Sequence, residues 1–256
     1  MITIKSKREI EIMKKSGRLV AETHALIKSL IEPGIAMEIL DQEAENFIRK
    51  NDGVPLFKGY RGFPSTICAS LNEEIVHGIP DKRKLKEGDI LSVDIGVKYR
   101  GYVGDSAWTY PVGQISKEAQ QLLKICEESL YCGIEAAIPG NKVSVISAAV
   151  QKHAEKYGYG IVREYTGHGI GTELHEDPQI PNYVDDSWRS HDDTRLKKGF
   201  CIAIEPMLNI GTHKTKVKRR KGWEVVLTKD NSLSAHFEHS VAILEDGPFI
   251  LTKIDD

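Results

Sequence analysis

The chain has 256 residues, 40% of them apolar and 28% charged, and carries a formal net charge of −2 at pH 7. That length buries a sizeable core in one large or two small domains, and that charge gives no overall attraction to nucleic acid or anionic membrane. The four cysteines, Cys68, Cys126, Cys132 and Cys201, form no C-x-x-C pair, and a bridge-free chain of this size suits a reducing cytosol.

The opening stretch, MITIKSKREIEIMKKSG, lacks the continuous apolar centre of a signal peptide. No later stretch approaches the roughly 20 apolar residues of a membrane span, so a cytoplasmic location is expected. Ser6-x-x-Glu9 reads as a capping box. After it Ile10, Met13, Val20, His24, Ile27 and Leu30/Ile31 recur at helical spacing until Pro33-Gly34. A second helix is expected from about Met37 to Lys50, with Leu40, Ala44 and Phe47 inward and Gly53 closing it. STICASL and EIVHGIP read as strand and loop. Lys86–Asp89 then turns into DILSVDIGVKYRGYVGDSAWTY (residues 89–110), which reads as two strands joined by a tight turn. Helices follow over about Ser116 to Ala137, stopped by Pro139-Gly140, and about Ser144 to Tyr157, ended by Gly158. Strand-like IVREYTGHGI, a polar loop, and the strands FCIAIEPM, WEVVLTKD and LSAHFEHSVAIL complete the order.

The second half repeats the first. HGIP at His77 matches HGIG at His168, and LKEGD at Leu85 matches LKKGF at Leu196. Asp94 lies six residues after Gly88, and Glu205 six after Gly199; each half then supplies one more strand acid, Asp105 and Glu238. The ordered set argues for an internal duplication within a single catalytic domain spanning 1–256. Two α+β halves, roughly 1–115 and 116–256, face each other across one site; this is not a short-period solenoid.

Asp is a poor strand former, so two of them in one apolar hairpin need a reason. With the turn centred near Tyr99-Arg100, Asp94 and Asp105 face each other, their Cβ atoms about 5 Å apart. Unscreened carboxylates at that separation repel, and one takes up a proton unless a divalent cation lies between them. Either Asp alone reads equally as a polar residue on a solvated face. Glu205 and Glu238, however, are also acids inside apolar strands, and buried charges persist when paired or bound to metal. His168 has a glycine on each side, which lets backbone come close and is expected to leave the ring exposed on a turn. Four carboxylates and one imidazole balance two divalent ions with one bridging water or hydroxide, and suit Mn, Fe, Co or Zn better than Ca. Two ions about 3.5–4 Å apart acidify such a water and polarise a carbonyl. The implied reaction class is hydrolysis.

The segments HGIP, DIGVKYRGYVGDSA, TGHGIGTELHE, IEPM and HFEHSVAI resemble type I methionine aminopeptidases, in order and over nearly the whole chain. The resemblance implies an α+β pita-bread fold, two pseudo-symmetric halves around a curved antiparallel sheet with flanking helices. It also implies removal of the initiator Met from newly made proteins when the second residue is small. Residue by residue, it implies that Asp94 binds one metal, that His168 and Glu205 bind the other, and that Asp105 and Glu238 bridge both. Glu205 would also exchange protons with the nucleophilic water and the leaving amine. His77 and His175 match the family's two substrate-contacting histidines, His175 donating to the oxyanion and His77 holding the scissile amide nitrogen; one such donor is worth about 3 kcal/mol in the barrier. Tyr60, Phe63, Cys68 and Trp223 would form the pocket for the Met side chain, whose thioether packs well against aromatic walls. Leu174 stands where relatives often carry Phe, and Phe57 where Cys is frequent.

The partners implied are nascent polypeptide N-termini, at the ribosome, with no membrane and no specific nucleic acid. A monomer is expected because the fold pairs its own halves. THKTKVKRRKG, with six Lys/Arg, reads first as a charged, solvated hairpin tip and second as an attachment to ribosomal RNA. NYVDDSWRSHDDTRLKKG, with His191 beside Asp192-Asp193, reads as a solvated loop rather than a further metal site. His24, His153, His213, His236 and His239 carry no assigned role. Two other readings compete: an X-Pro aminopeptidase or prolidase-like peptidase, relatives that usually carry an extra N-terminal domain, and a non-catalytic binding module of the same fold, relatives that typically lose metal ligands.

Overall fold

A computed structural model of the chain describes residues 2–184 and 193–254. His191 and Asp192, with the middle of the 182–199 loop, lie outside the described residues. Helix α1 (Lys7–Leu30) begins where the capping box predicts: Glu9 N–H donates to Ser6 Oγ, and Ser6 N–H donates to the Glu9 carboxylate at 2.7 Å. Helix α2 (Met37–Lys50) follows, then strands β1 (Val54–Pro55), β2 (Cys68–Leu71), β3 (Glu74–Val76), β4 (Ile90–Tyr99) and β5 (Tyr102–Pro111). The second half opens with α3 (Lys117–Ala136) and α4 (Val143–Lys156). Its strands are β6 (Gly160–Ile161), β7 (Gly167–Gly169), β8 (Glu176–Ile180), β9 (Cys201–Ile204), β10 (Met207–Asn209), β11 (Thr215–Arg220), β12 (Trp223–Thr228), β13 (Ser234–His236), β14 (His239–Leu244) and β15 (Gly247–Ile250).

The strands lie inside and the helices outside. In the first half β4 pairs with β1, β2 and β5, and Val20, Ile27 and Leu40 of α1 and α2 pack on Leu91, Val93 and Ile95. In the second, the sheet runs β15-β14-β9-β7-β8, and Leu122, Ile125 and Ile146 of α3 and α4 pack on Ile202, Ile204 and Val241. Each of these buried side chains contributes about 1.5–3 kcal/mol. Two smaller sheets, β13-β10-β6 and β11-β12-β3, close the ends. Every pairing among the described strands is antiparallel, which makes the class α+β.

Corresponding places in the two halves carry the same backbone bonds. Gly34 N–H donates to Leu85 O at 2.8 Å, and Gly140 N–H to Leu196 O at 3.0 Å. Met37 N–H donates to Arg83 O at 3.1 Å, and Val143 N–H to Thr194 O at 2.9 Å. Gly88 N–H donates to Val112 O at 3.0 Å, and Gly199 N–H to Ile243 O at 2.8 Å. Each set ties a helix pair to the turn that opens the central strands.

The hairpin register differs by two residues from the one expected. Tyr99 pairs with Tyr102, so the turn is Arg100-Gly101, Asp94 stands opposite Ala107, and Asp105 opposes Gly96. Arg100 (φ 47) and Gly101 (φ 87) are both left-handed, as a two-residue turn matching the strand twist requires. Side chains alternate along a strand, so an even shift keeps Asp94 and Asp105 on one face, now diagonal rather than opposite.

The halves join through the β3–β12 pairing and along a seam where β5 runs beside residues 236–240. In that seam Glu238 N–H donates to Ala107 O at 2.8 Å, and further links pass through hydroxyls. Asp105 N–H donates to Ser240 Oγ at 3.1 Å, which donates on to Asp105 O at 2.7 Å. Ser106 Oγ donates to Glu238 O at 2.6 Å, and His236 N–H donates to Thr109 Oγ1 at 2.9 Å. Ser240→Ala removes the partner of both Asp105 peptide groups, and each buried unpaired group costs about 1–3 kcal/mol. Urea titration is expected to show a loss of about 2 kcal/mol or more, against almost none for Ser29→Ala on the exposed face of α1. Equal losses for the two variants would mean that water replaces the Ser240 bonds.

Candidate metal centre

The seam opens into a cavity of about 310 Å³ lined from both halves. The residues expected from the sequence to form a site all line it: the expected metal donors Asp94, Asp105, His168, Glu205 and Glu238, the expected substrate contacts His77 and His175, and the expected pocket residues Tyr60, Phe63, Cys68 and Trp223.

One oxygen each of Asp105 and Glu238 and one ring nitrogen of His168 lie within 4.8 Å of one another. His168 Nε2 is 3.9 Å from Asp105 Oδ2 and 3.5 Å from Glu205 Oε1. Donors bound at 2.0–2.2 Å to one tetrahedral ion stand about 3.4 Å apart, so these separations suit atoms sharing a cation. His168 Nδ1–H donates to Gly169 O at 2.9 Å, which leaves the Nε2 lone pair turned to the acids, the tautomer a metal requires.

Two expectations about the backbone are corrected. The His168 ring is buried, 6% exposed, within β7, not exposed on a turn. Its flanking glycines serve sheet packing: a Cβ on Gly167 would lie 2.3 Å from Ala203 O, and one on Gly169 2.2 Å from Asp177 O. Glu205 and Glu238 sit at strand breaks rather than inside strands. Glu205-Pro206 separates β9 from β10, and Phe237-Glu238 separates β13 from β14. At each break the chain passes between the five-stranded sheet and the β13-β10-β6 sheet. Pro206 has no N–H for a ladder, and an acid outside the ladder is free to face the cavity.

Burial raises all four carboxyl groups above their ordinary range. For Asp105 the charges of Asp94 and Glu205 add to it, and for Glu238 that of Asp105. Asp94 is pushed up to about 7, with His236 opposing the rise, and Glu205 to about 8. Burial also lowers His168 to about 3 and His77 and His236 to about 4, so all three rings are neutral. Asp94 Oδ1, Asp105 Oδ1, Glu238 Oε1 and His236 Nε2 are buried without a hydrogen-bond partner among the described residues. Each such atom costs about 1–3 kcal/mol. Their concentration in one cavity, as oxygens beside neutral imidazoles, fits a divalent transition metal.

Much of the remaining lining is apolar and aromatic. Phe63 and Trp223 meet edge to face with centroids 5.1 Å apart, and burial holds the Cys68 thiol far above its usual pKa and uncharged. Tyr60 is more than a wall: its hydroxyl is 2.9 Å from His175 Nδ1. Glu176, next to His175, accepts from Lys5 Nζ at 2.6 Å and from Thr172 N–H at 2.9 Å, tying that loop to the first residues of the chain. His77 has φ 64, a left-handed conformation uncommon for a non-glycine residue, and its ring meets Tyr165 edge on at 5.6 Å. Outside the cavity, the basic stretch forms the β11–β12 hairpin. Buried Glu74, 1% exposed, pins its base by accepting from Arg83 Nη1 at 2.6 Å and pairing with Arg220.

Sequence reasoning gave no role to several lining residues, among them Tyr165 and His236. His236 lies two positions before Glu238, and that i, i+2 spacing on an extended segment was the available signal. His24, also unassigned, is a satisfied core histidine, its Nε2 3.0 Å from Ser106 O and its Nδ1 3.0 Å from the Tyr110 hydroxyl. The four cysteines are free, and no helix among the described residues is long and apolar enough to cross a membrane.

The chain is 52% identical over 254 residues to methionine aminopeptidase 1 of Bacillus subtilis (strain 168), covering 99% of this chain and 100% of that one. The crystal structure of methionine aminopeptidase from Thermotoga maritima matches with a TM-score of 0.94 and 42% identity, over 99% of this chain and 100% of the other. The α+β pita-bread fold expected from the motifs is therefore the fold of this chain. A prolidase from Pyrococcus furiosus matches with a TM-score of 0.77 and 25% identity, and this chain covers 66% of it. The profile of metallopeptidase family M24 fits residues 11–245, from within α1 to just past β14. With that span and these full-length relatives, the chain belongs to metallopeptidase family M24.

Proposed function

We infer that this chain is an aminopeptidase that uses divalent metal to remove the initiator methionine from newly made proteins, preferring a small second residue. The observation that carries the reading is the convergence of four buried acids and one neutral imidazole on a single apolar-walled cavity, in a chain matched end to end by methionine aminopeptidases. The X-Pro reading is weaker, because the prolidase likeness is lower and covers only part of that protein.

Two ions would be held, one by Asp94 and one by His168 and Glu205, with Asp105 and Glu238 shared. The mixed oxygen and imidazole set supports Co, Mn, Fe or Zn. When bound, the metal supplies an acidified water and polarises the substrate carbonyl. The chain's own groups do the rest. Glu205 takes a proton from the attacking water and returns it to the leaving amine. With the Tyr60 hydroxyl donating to Nδ1, His175 presents Nε2–H to the developing oxyanion. His77 donates to the scissile amide. Phe63, Trp223, Tyr60 and Cys68 enclose the Met thioether and keep water out.

The same reading takes the chain as a single catalytic domain of two repeated halves, roughly 1–115 and 116–256, supported by the bonds that recur in each. It works in the cytoplasm, as the four free thiols support, and as a monomer, because one chain supplies both sides of the cavity. Its substrates are nascent N-termini at the ribosome. Exposed Lys218, Arg219 and Lys221, on the hairpin that carries Trp223, favour that location.

Supplied with Mn or Co, the protein is expected to release Met from Met-Ala-Ser and not from a Met-Lys peptide. Asp105→Ala should lower kcat by about three orders of magnitude or more, as loss of a metal-activated nucleophile does, with circular dichroism unchanged. Met release that persists in full with chelator present would sink the reading.

Proton linkage gives a second check. In the metal-free protein the carboxyl pKa values lie above the unfolded values of about 4. Their contribution to stability is therefore fully present below about pH 4 and is lost as pH rises through about 7 for Asp94 and about 8 for Glu205. Below about pH 6.5 the depressed histidines oppose this trend, but above about pH 7 they are neutral in both states, so the melting temperature of chelator-treated protein should fall between about pH 7 and about 8.5. Metal uptake at pH 7 should release protons, read by calorimetry in two buffers of different ionisation heat. A melting temperature that instead rises steadily over that range would contradict the assignment.

A further inference from the structure

His236 is a third imidazole in the cavity, and the metal and substrate roles above leave it without a task. It is 2% exposed, at the end of β13. Its backbone is fixed: N–H donates to Thr109 Oγ1 and C=O accepts from the same hydroxyl, both at 2.9 Å. Its Nε2 is buried without a hydrogen-bond partner and stands 3.5 Å from Glu205 Oε2. The other oxygen of that carboxylate, Oε1, stands 3.5 Å from His168 Nε2. Glu205 therefore lies between two imidazoles, with one oxygen toward each. On the His168 side the ring nitrogen carries a lone pair, because Nδ1–H is given to Gly169 O. On the His236 side the neighbouring atom is a carboxylate oxygen, which only accepts when ionised.

We propose that His236 is a positioning residue for Glu205, its Nε2–H donating to Oε2 once the site is loaded and so fixing which oxygen faces the metal and which faces the water. A contraction of about 0.6 Å brings the pair to ordinary hydrogen-bond length. Each carboxylate oxygen has two lone pairs, so Oε2 accepts from His236 and keeps one lone pair for proton exchange. This inference rests on the metal-centre reading above and adds the group that orients its proton carrier. Groups of this kind, behind a metal-binding residue, typically change metal affinity or activity by about 10–100-fold when removed.

The test compares wild type, His236→Gln and His236→Phe after loading with Co. Gln keeps an N–H donor at similar reach, whereas Phe keeps the volume without it. His236→Phe is expected to weaken Co binding by calorimetry about 10-fold or more and to lower kcat on Met-Ala-Ser about 10–100-fold, with KM little changed. The number of nitrogen neighbours in the Co X-ray absorption spectrum should stay the same, and His236→Gln should recover most of both losses. If the Phe variant does not fold, His236→Asn, too short to reach Oε2, takes its place with the same expectations. Loss of a nitrogen neighbour would make His236 a direct ligand and overturn the proposal. A variant with a lower melting temperature but wild-type Co affinity and kcat would reduce His236 to packing and overturn it too. Wild-type protein that takes up no Co would refute the metal centre itself, which separates that failure from this one.

Discussion

Four buried carboxyl groups in one cavity would repel one another once ionised, and the seam between β5 and residues 236–240 fixes them close together nonetheless. Asp105 comes from the first half and Glu238 from the second, and they meet because Ala107, Ser106 and Ser240 stitch their backbones across the join. Most of the stitches are hydroxyls. A direct ladder sets strands about 4.7–4.9 Å apart, and an interposed hydroxyl spreads the two segments and leaves space between their side chains. The helices outside supply the apolar burial that makes such a polar join affordable.

The same burial that raises the acids lowers the histidines, so the metal-free cavity is a set of neutral groups holding protons a cation would displace. Around it, three of the lining histidines are held by a neighbour or by their own backbone. Gly169 O turns the His168 ring, Tyr60 occupies one nitrogen of His175, and a left-handed backbone aims His77.

Much of this was legible in the chain itself. The α1 capping box, the Pro-Gly stops and the paired LKEGD and LKKGF turns are local signals, and local physics decides them. The order of Asp94, Asp105, His168, Glu205 and Glu238 was equally plain, because each acid contradicts the strand around it. The hairpin register was not, since Arg100 hides a left-handed position that only the following Gly101 announces. The breaks at Glu205 and Glu238 were missed because a strand that changes sheets reads as one continuous apolar run. Strands of two or three residues, such as β6 and β10, are too short for any period to show. Asp193 accepts from Ser144 N–H at 3.0 Å and so caps α4 from a distant loop, a bond with no local trace.

The contacts that finish the cavity are far apart in the chain: Lys5 grips Glu176, Ala107 meets Glu238, and Asp105 meets Ser240. Such topology places the costly long-range closures last. A polypeptide still being synthesised can carry the first helices and both acids of the hairpin and yet possess no enclosed pocket. Catalytic competence therefore waits for the closing strands, because half of the cavity's wall comes from them.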